Sequence, residues 1–161
     1  MGETCLGIAA KGWLAGLAGS LALRLTMQAM APPPPPEAAP ASETAHEAFA
    51  RKVGTCLFEK EMPESELRAW GELLHWSYGA AWGTVYGIIQ SSLCVPAWLH
   101  GLLFGTVVWV AGPRFLLPAM KLRPLPRAEI PRETLMGWAF HAAYGLTVAT
   151  VFGLLRLGRR E

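Results

Sequence analysis

Two histidines recur in one peptide frame, and imidazole is the side chain whose proton and metal chemistry lies nearest neutral pH. His75-Trp-Ser-Tyr-Gly79 runs on to Thr84-Val-Tyr-Gly87, and His141-Ala-Ala-Tyr-Gly145 runs on to Thr150-Val-Phe-Gly153. The shared frame is H-x-x-Y-G-x4-T-V-aromatic-G, and both copies lie inside long apolar stretches. Two such imidazoles on neighbouring helices could flank a haem iron or hold a chlorophyll magnesium, since bundle cofactor sites are built from facing side chains. The nearby glycines would leave room for a macrocycle. They fit simple close packing as well, with each histidine satisfied by an interhelical hydrogen bond. No cofactor is therefore expected, and haem or chlorophyll held by His75 and His141 is the alternative.

Three more ionisable groups fall at the same expected depth. Arg24, Glu72 and Arg114 each sit about a turn or two inside an apolar segment, at the end where the histidine frames begin. Such residues are costly in lipid and usually face a partner or a cavity. Arg24, Glu72, His75, Arg114 and His141 thus form a candidate polar cluster for a lipid headgroup, an anion or a proton. Its plainer version is interfacial snorkelling with one Arg24–Glu72 pair joining two helices. His100 begins its segment on the opposite side, and His46 is expected in solvent. The sequence has no Gly-x-Ser-x-Gly elbow, phosphate loop or His-Glu-x-x-His, so no enzyme is expected. Cys5, Cys56 and Cys94 have neither disulfide nor zinc spacing and read as small packing residues.

The elements that must position these groups are helices in a bilayer. Of the 161 residues, 52% are hydrophobic and only 16% charged, against roughly a quarter charged in soluble domains. The charges crowd into 37–72, 121–133 and the last few residues, leaving apolar blocks long enough to cross a core of roughly 30 Å. Four spans follow: about Leu6–Met30, Trp70–Ser92, Ala97–Met120 and Leu135–Leu157. The organisation is one membrane domain. Residues 1–31 hold the first span. Residues 32–69 hold a proline-rich linker and a surface helix. Residues 70–161 hold the other spans, with a basic connection at 121–134. Lys11 and Arg24 within the first span are expected to snorkel. The net charge of +2 leaves no basic stripe for nucleic acid.

The linker opens with Pro32–Pro36, a stiff segment that cannot continue a helix. Thr44–Lys60 then reads as an amphipathic helix with its apolar stripe on Ala45, Phe49, Val53 and Cys56/Leu57. It could lie on the membrane surface or cover the bundle. The repeat extends to whole hairpins, because Gly16-Leu17 with Pro33 resembles Gly101-Leu102 with Pro118. The fold expected is all-α, a polytopic membrane protein of four transmembrane helices as two similar hairpins plus one amphipathic surface helix. Two hairpins inserted the same way imply a pseudo-twofold along the membrane normal. Arg51, Lys52, Arg68, Lys121, Arg123, Arg127 and Arg132 put the long connections in the cytoplasm, although the basic C-terminus pulls the other way.

Within lipid, helices associate through close backbone approach and interhelical hydrogen bonds. Gly12, Gly16 and Ser20 form one ladder, and Gly79, Gly83 and Gly87 a second beside an aromatic ridge of Tyr78, Trp82 and Tyr86. Gly101 and Gly105 form a third; His141, Gly145, Ala149 and Gly153 form the fourth. All are expected to pack helix on helix, so that Gly83→Leu would destroy folding.

The Gly12-Trp-Leu-Ala-Gly-Leu-Ala-Gly19 opening before a proline cluster resembles that of the YagU-like small bacterial inner-membrane proteins. So do His75…Tyr78-Gly79…Gly83…Tyr86-Gly87, Gly101…Phe104-Gly105…Trp109 with Leu117-Pro118, and His141…Tyr144-Gly145. The resemblance implies a multi-span protein of the bacterial inner membrane with a suggested link to acid tolerance. It carries over no catalytic residues. The leading expectation is a non-catalytic accessory or structural subunit that packs against membrane lipids and other membrane-protein subunits. A tetrapyrrole carrier using His75 and His141, and a small transporter or proton-responsive protein using the polar cluster, are the alternatives.

Overall fold

A computed structural model describes residues 3–30, 43–59, 61–122 and 131–158. Every regular element among the described residues is helical, so the fold is all-α as expected. Helix α1 spans Cys5–Met30, α2 Ala45–Phe58 and α3 Glu64–Ser92. Helix α4, Ala97–Trp109, runs through a π-helical stretch, Val110–Leu116, into the short α5, Leu117–Ala119, and α6 spans Pro131–Leu157. Pro113 lies inside the π-helical stretch. Proline has no N–H to donate and its ring crowds the preceding turn, so the ladder widens there. Pro32–Pro36 and residues 123–130 of the basic connection lie outside the described residues.

Three helices, Cys5–Met30, Ala97–Ala119 and Arg132–Leu157, are long and apolar enough to cross a membrane. Helix α3 is longer, at 29 residues, yet it is not among them. Its stretch from Leu73 to Ser92 has no Asp, Glu, Lys or Arg, but Trp, Tyr, Gly and Ser take many of the positions that Leu or Ile would need to fill. Large apolar side chains face outward all round the bundle, among them Trp13 and Leu25 on α1, Ile88 on α3, Leu103 on α4, Phe115 and Leu154. A soluble monomer rarely exposes so much contiguous apolar surface.

The interior is built on small residues. Helix α1 packs antiparallel on α3 and also on α6, while α4 packs on α6 and α2 on α3. A Cβ on Gly12 would lie 2.6 Å from the Gly83 carbonyl oxygen, and one on Gly16 only 2.8 Å from the Ala80 Cα. Gly101 meets Gly145 and Ala149 in the same way, with a Cβ there 2.7 Å from the Ala149 Cβ. Gly105 lies against the His141 backbone, and Gly79 against Ser20, which is itself buried. Gly87 is covered by the Phe152 ring and the Gly12 Cα, at 2.9 and 3.1 Å from its would-be Cβ. Gly153 is the exception. A Cβ there would meet nothing within 4 Å, so among the described residues this position packs against no other helix. Beside the ladders lies an aromatic core of Tyr86, Phe104, Tyr144 and Phe152 with Ala15, Val108, Val148 and Ala149.

Three local expectations are corrected. Helix α2 begins at a capping box in which the Glu47 N–H donates to Thr44 Oγ1 at 3.3 Å and the Thr44 N–H donates to Glu47 Oε2 at 2.7 Å. Its docked face is His46, Ala50 and Gly54, the latter two buried, while Cys56 is exposed. Ala45, Phe49 and Val53 of the expected stripe are only partly buried, and the Leu57 side chain lies outside the described residues; the docked face is turned from that stripe by about one residue, roughly 100°. Two small residues let α2 approach α3 so closely that a Cβ on Gly71 would be 2.7 Å from Glu47 Cγ. A larger stripe centred on Phe49 could not come that near. Second, Lys11 does not snorkel freely. It is buried and reaches back along α1 to Glu3. Third, all three cysteines are exposed rather than packed.

Candidate functional site

Antiparallel packing brings the C-terminal end of α1, the start of α3, the π-helical stretch after α4 and the start of α6 to one end of the bundle. The five expected residues are all there, but they divide into four groups. In the first, Arg24 Nη1 donates to Glu72 Oε2 at 2.6 Å and Trp76 Nε1 donates to the same oxygen at 3.1 Å. Both ionic side chains are about half exposed, at 41% and 53%. This is the helix-joining pair of the plainer expectation. In the second, Arg114 Nη2 donates to Thr134 Oγ1 at 3.3 Å, and its guanidinium carbon lies 4.7 Å from the centroid of the Trp109 ring. In the third, His141 Nδ1 lies 2.8 Å from the Gly137 carbonyl one turn earlier on its own helix. A donor Nδ1–H there fixes the tautomer with Nε2 free of a proton.

His75 has different company. Its ring stands edge-on to His46 of α2, with centroids 5.3 Å apart and planes at 83°. It also meets Trp76 edge-on at 5.4 Å, and its ring interacts with the Ser20 backbone of α1. His75 Nε2 is buried, with no hydrogen-bond partner among the described residues. His46 is thus half-buried against α3, not solvated as the sequence suggests. It also stands edge-on to Tyr78 at 6.4 Å. Burial pushes the His46 imidazole below its ordinary 6.5, and the neighbouring His75 adds to this; Glu72 and Glu47 pull weakly the other way. The two frame histidines therefore serve different partners, α2 for His75 and its own helix for His141.

The frame tyrosines also diverge. Tyr144 donates from its hydroxyl to the Gly79 carbonyl at 2.7 Å, a buried bond from α6 to α3. Tyr78 instead points its hydroxyl at Gly112 in the π-helical stretch, where a Cβ would lie 3.1 Å away. Trp138 Nε1 donates to Thr106 Oγ1 at 3.0 Å, joining α6 to α4. None of these bonds stands out in the sequence, although the tyrosine recurs in both frames.

A second polar group at the opposite end escapes sequence reading. His100 is buried, stacked on Tyr86 with centroids 4.6 Å apart, and its Nδ1 meets Gln90 Oε1. Gln90 Nε2 donates to the Val95 carbonyl at 3.3 Å, pinning the tight link between α3 and α4. Nearby, Glu3 accepts from Lys11 and pairs with Arg156 Nε at 3.0 Å. The signal was present as Gln90 and His100 flanking a short uncharged link, two polar residues at the ends of apolar helices.

No cluster of three or more metal-ligating side chains exists among the described residues. The arrangement sets two imidazoles edge-on at the His46–His75 contact and joins helices through polar bonds elsewhere. No family model, no curated protein and no solved structure matches this chain.

Proposed function

We propose that the chain is a multi-pass membrane protein in which α1, α3, α4 to α5, and α6 cross the bilayer as two similar hairpins, and that it works without catalysis as an accessory or structural subunit. The observation that carries this reading is the division of labour between its surfaces. Small-residue faces are consumed in backbone contacts inside the bundle, while large apolar side chains are turned outward. Lipid or the apolar flank of another membrane protein is the medium that such a surface fits. Helix α3 belongs among the spans because its uncharged part from Leu73 onward is about 20 residues, roughly 30 Å of helix. The paired-hairpin reading is supported by matched contacts. Gly16 meets Gly79, and at the corresponding repeat positions Gly101 meets Gly145.

The proposed setting is a bacterial inner membrane with the long connections, and hence α2, on the cytoplasmic side, in line with the YagU-like resemblance and the Lys and Arg of those connections. The test is purification from native membranes in a mild detergent, with mass spectrometry and an absorption spectrum of the same sample. Stoichiometric recovery with a larger membrane complex is the expected result. A protein that runs alone and moves ions in liposomes would support a transporter instead, and a Soret band would replace the subunit reading with a tetrapyrrole carrier.

A further inference from the structure

The contact between His46 and His75 joins α2, which the proposed topology leaves outside the bilayer, to the bundle. Helix α2 rests on α3 through Ala50 and Gly54, through the close approach of Glu47 to Gly71, and through the two rings. Lys52 adds a bond to the Met120 carbonyl at the end of α5. The two rings are the groups in this contact that titrate near neutrality. The nearby carboxylates already have partners. Glu72 of α3 accepts from Arg24 of α1 and from Trp76, and Glu47 of α2 accepts from the Thr44 backbone in the capping box. Tyr78 offers only a ring edge to His46. A positive imidazole at this contact would therefore face a second imidazole, the Arg24 guanidinium and two committed carboxylates. The Ser20 backbone of α1 faces the His75 ring, but the buried Nε2 has no hydrogen-bond partner among the described residues, and a buried N–H without an acceptor is costly.

We propose that His46 and His75 form a proton-operated latch: with both rings neutral the pair holds α2 on α3, and protonation of the pair releases α2 while the glycine-packed bundle stays assembled. The sign follows from His46. Its imidazole is held below 6.5 when docked, so docking is at full strength above about that pH and weakens as pH falls through the docked value. One proton taken up on release lowers the docked-to-released ratio by up to about tenfold per pH unit in that window. The glycine ladders of the bundle are backbone contacts without such a dependence, and its own imidazoles, His100 and His141, are engaged with Gln90 and with the Gly137 carbonyl. The latch goes beyond the subunit reading. It makes the α2 docking face on α3 a surface that opens with acidity.

The experiment uses the full chain in lipid nanodiscs, with Cys5 and Cys94 changed to Ser, spin labels on the exposed Cys56 and on Ala119→Cys, and distances read at intervals from pH 8 to pH 5. A single short distance at pH 8 that gives way to a longer, broader population toward pH 5 is expected, with helix content and tryptophan emission of the bundle unchanged. His46→Gln and His75→Gln, which keep a polar side chain but cannot take the proton, should stay docked across the range. If one of them is already released at pH 8, the other carries the attribution. A wild-type distance constant from pH 8 to pH 5 overturns the latch. So does a release that follows the same pH course in both variants, or release of both variants at pH 8.

Discussion

Adding one methyl group at Gly12 tests the packing argument more sharply than any polar change. An alanine Cβ at that position would lie 2.6 Å from the Gly83 carbonyl oxygen, 2.9 Å from the Thr84 Cα and 3.2 Å from the Gly83 carbonyl carbon. The two nearest are roughly 0.6–0.9 Å inside an ordinary contact of ~3.5 Å. All three are backbone atoms, so no side chain can swing aside and the axes of α1 and α3 must separate. Overpacking of this kind costs about 1–3 kcal/mol. Alanine returns up to ~1 kcal/mol through its better helix propensity. The net is a loss of about 1–2 kcal/mol, a fall of roughly 5- to 30-fold in the folded-to-unfolded ratio. Gly153→Ala is the matched control, because the same methyl there meets nothing within 4 Å. It should be neutral or stabilise by up to ~1 kcal/mol. The assay is reversible unfolding in mixed micelles by SDS titration, followed by tryptophan fluorescence. Equal stability of Gly12→Ala and wild type would refute the packing account. Equal damage from Gly12→Ala and Gly153→Ala would refute it too, by showing that the glycines matter for something other than the space they leave.

Three further outcomes follow from named contacts. Tyr144→Phe removes the hydroxyl that donates to the Gly79 carbonyl and should cost ~0.6–1.5 kcal/mol in the same titration, the range of interhelical bonds in lipid and of ordinary protein hydrogen bonds. The Arg24–Glu72 pair is about half exposed on both sides, so a double-mutant cycle with Arg24→Ala and Glu72→Ala should return a coupling under ~1 kcal/mol. At the opposite end, the hydrogen bond from Lys11 and then the charges of Lys11 and Arg156 hold the Glu3 carboxyl below its usual 4.5. The stabilisation from Glu3 is complete above that value and is lost as pH falls through the lower folded one. Glu3→Gln should flatten the acid limb of a stability–pH curve measured from pH 6 to pH 3.

The helical class and the small-residue ladders were legible because both depend on short-range patterns: long uncharged runs, and glycine at every fourth position. The ladders at Gly12, Gly16, Gly79, Gly83, Gly101 and Gly145 meet backbone where the pattern says they should. Gly153 carries the same pattern, and among the described residues nothing lies within 4 Å of a Cβ there, because spacing says which face is flat but not whether another helix covers it. The candidate cluster was legible only as a shared depth. Chain alternation brings Arg24, Glu72, His75, Arg114 and His141 to one end, but the side chains settle with whatever lies within their own reach, Glu72 for Arg24, Thr134 for Arg114 and the Gly137 carbonyl for His141. The surface helix misled for a physical reason. A hydrophobic stripe chooses the face with the larger side chains, here Phe49, whereas close docking on α3 selects the face with the smaller ones, Ala50 and Gly54. The rotation between the two carries His46 from solvent to the interface.

That rotation also explains why one frame written twice does two different things. His75 and His141 begin identical motifs, as do Tyr78 and Tyr144, and the helices bearing them make matched glycine contacts with α1 and α4. The difference between the halves is the segment between α1 and α3, of which α2 is the described part; the link between α4 and α6 has nothing like it among the described residues. Among the described residues no extra helix covers its end, and His141 takes its partner from its own helix. With α2 docked over its end, His75 faces a second imidazole. On the paired-hairpin reading proposed above, the two halves supply the bundle alike, and α2 turns one copy of the motif into a titratable contact while the other stays structural. If the inserted helix causes this asymmetry, changing His141 to Gln should leave the α2 distance and its pH course untouched, whereas His75→Gln should abolish the pH course. Equal effects of the two changes would mean that the frame itself, and not α2, sets the behaviour of its histidine.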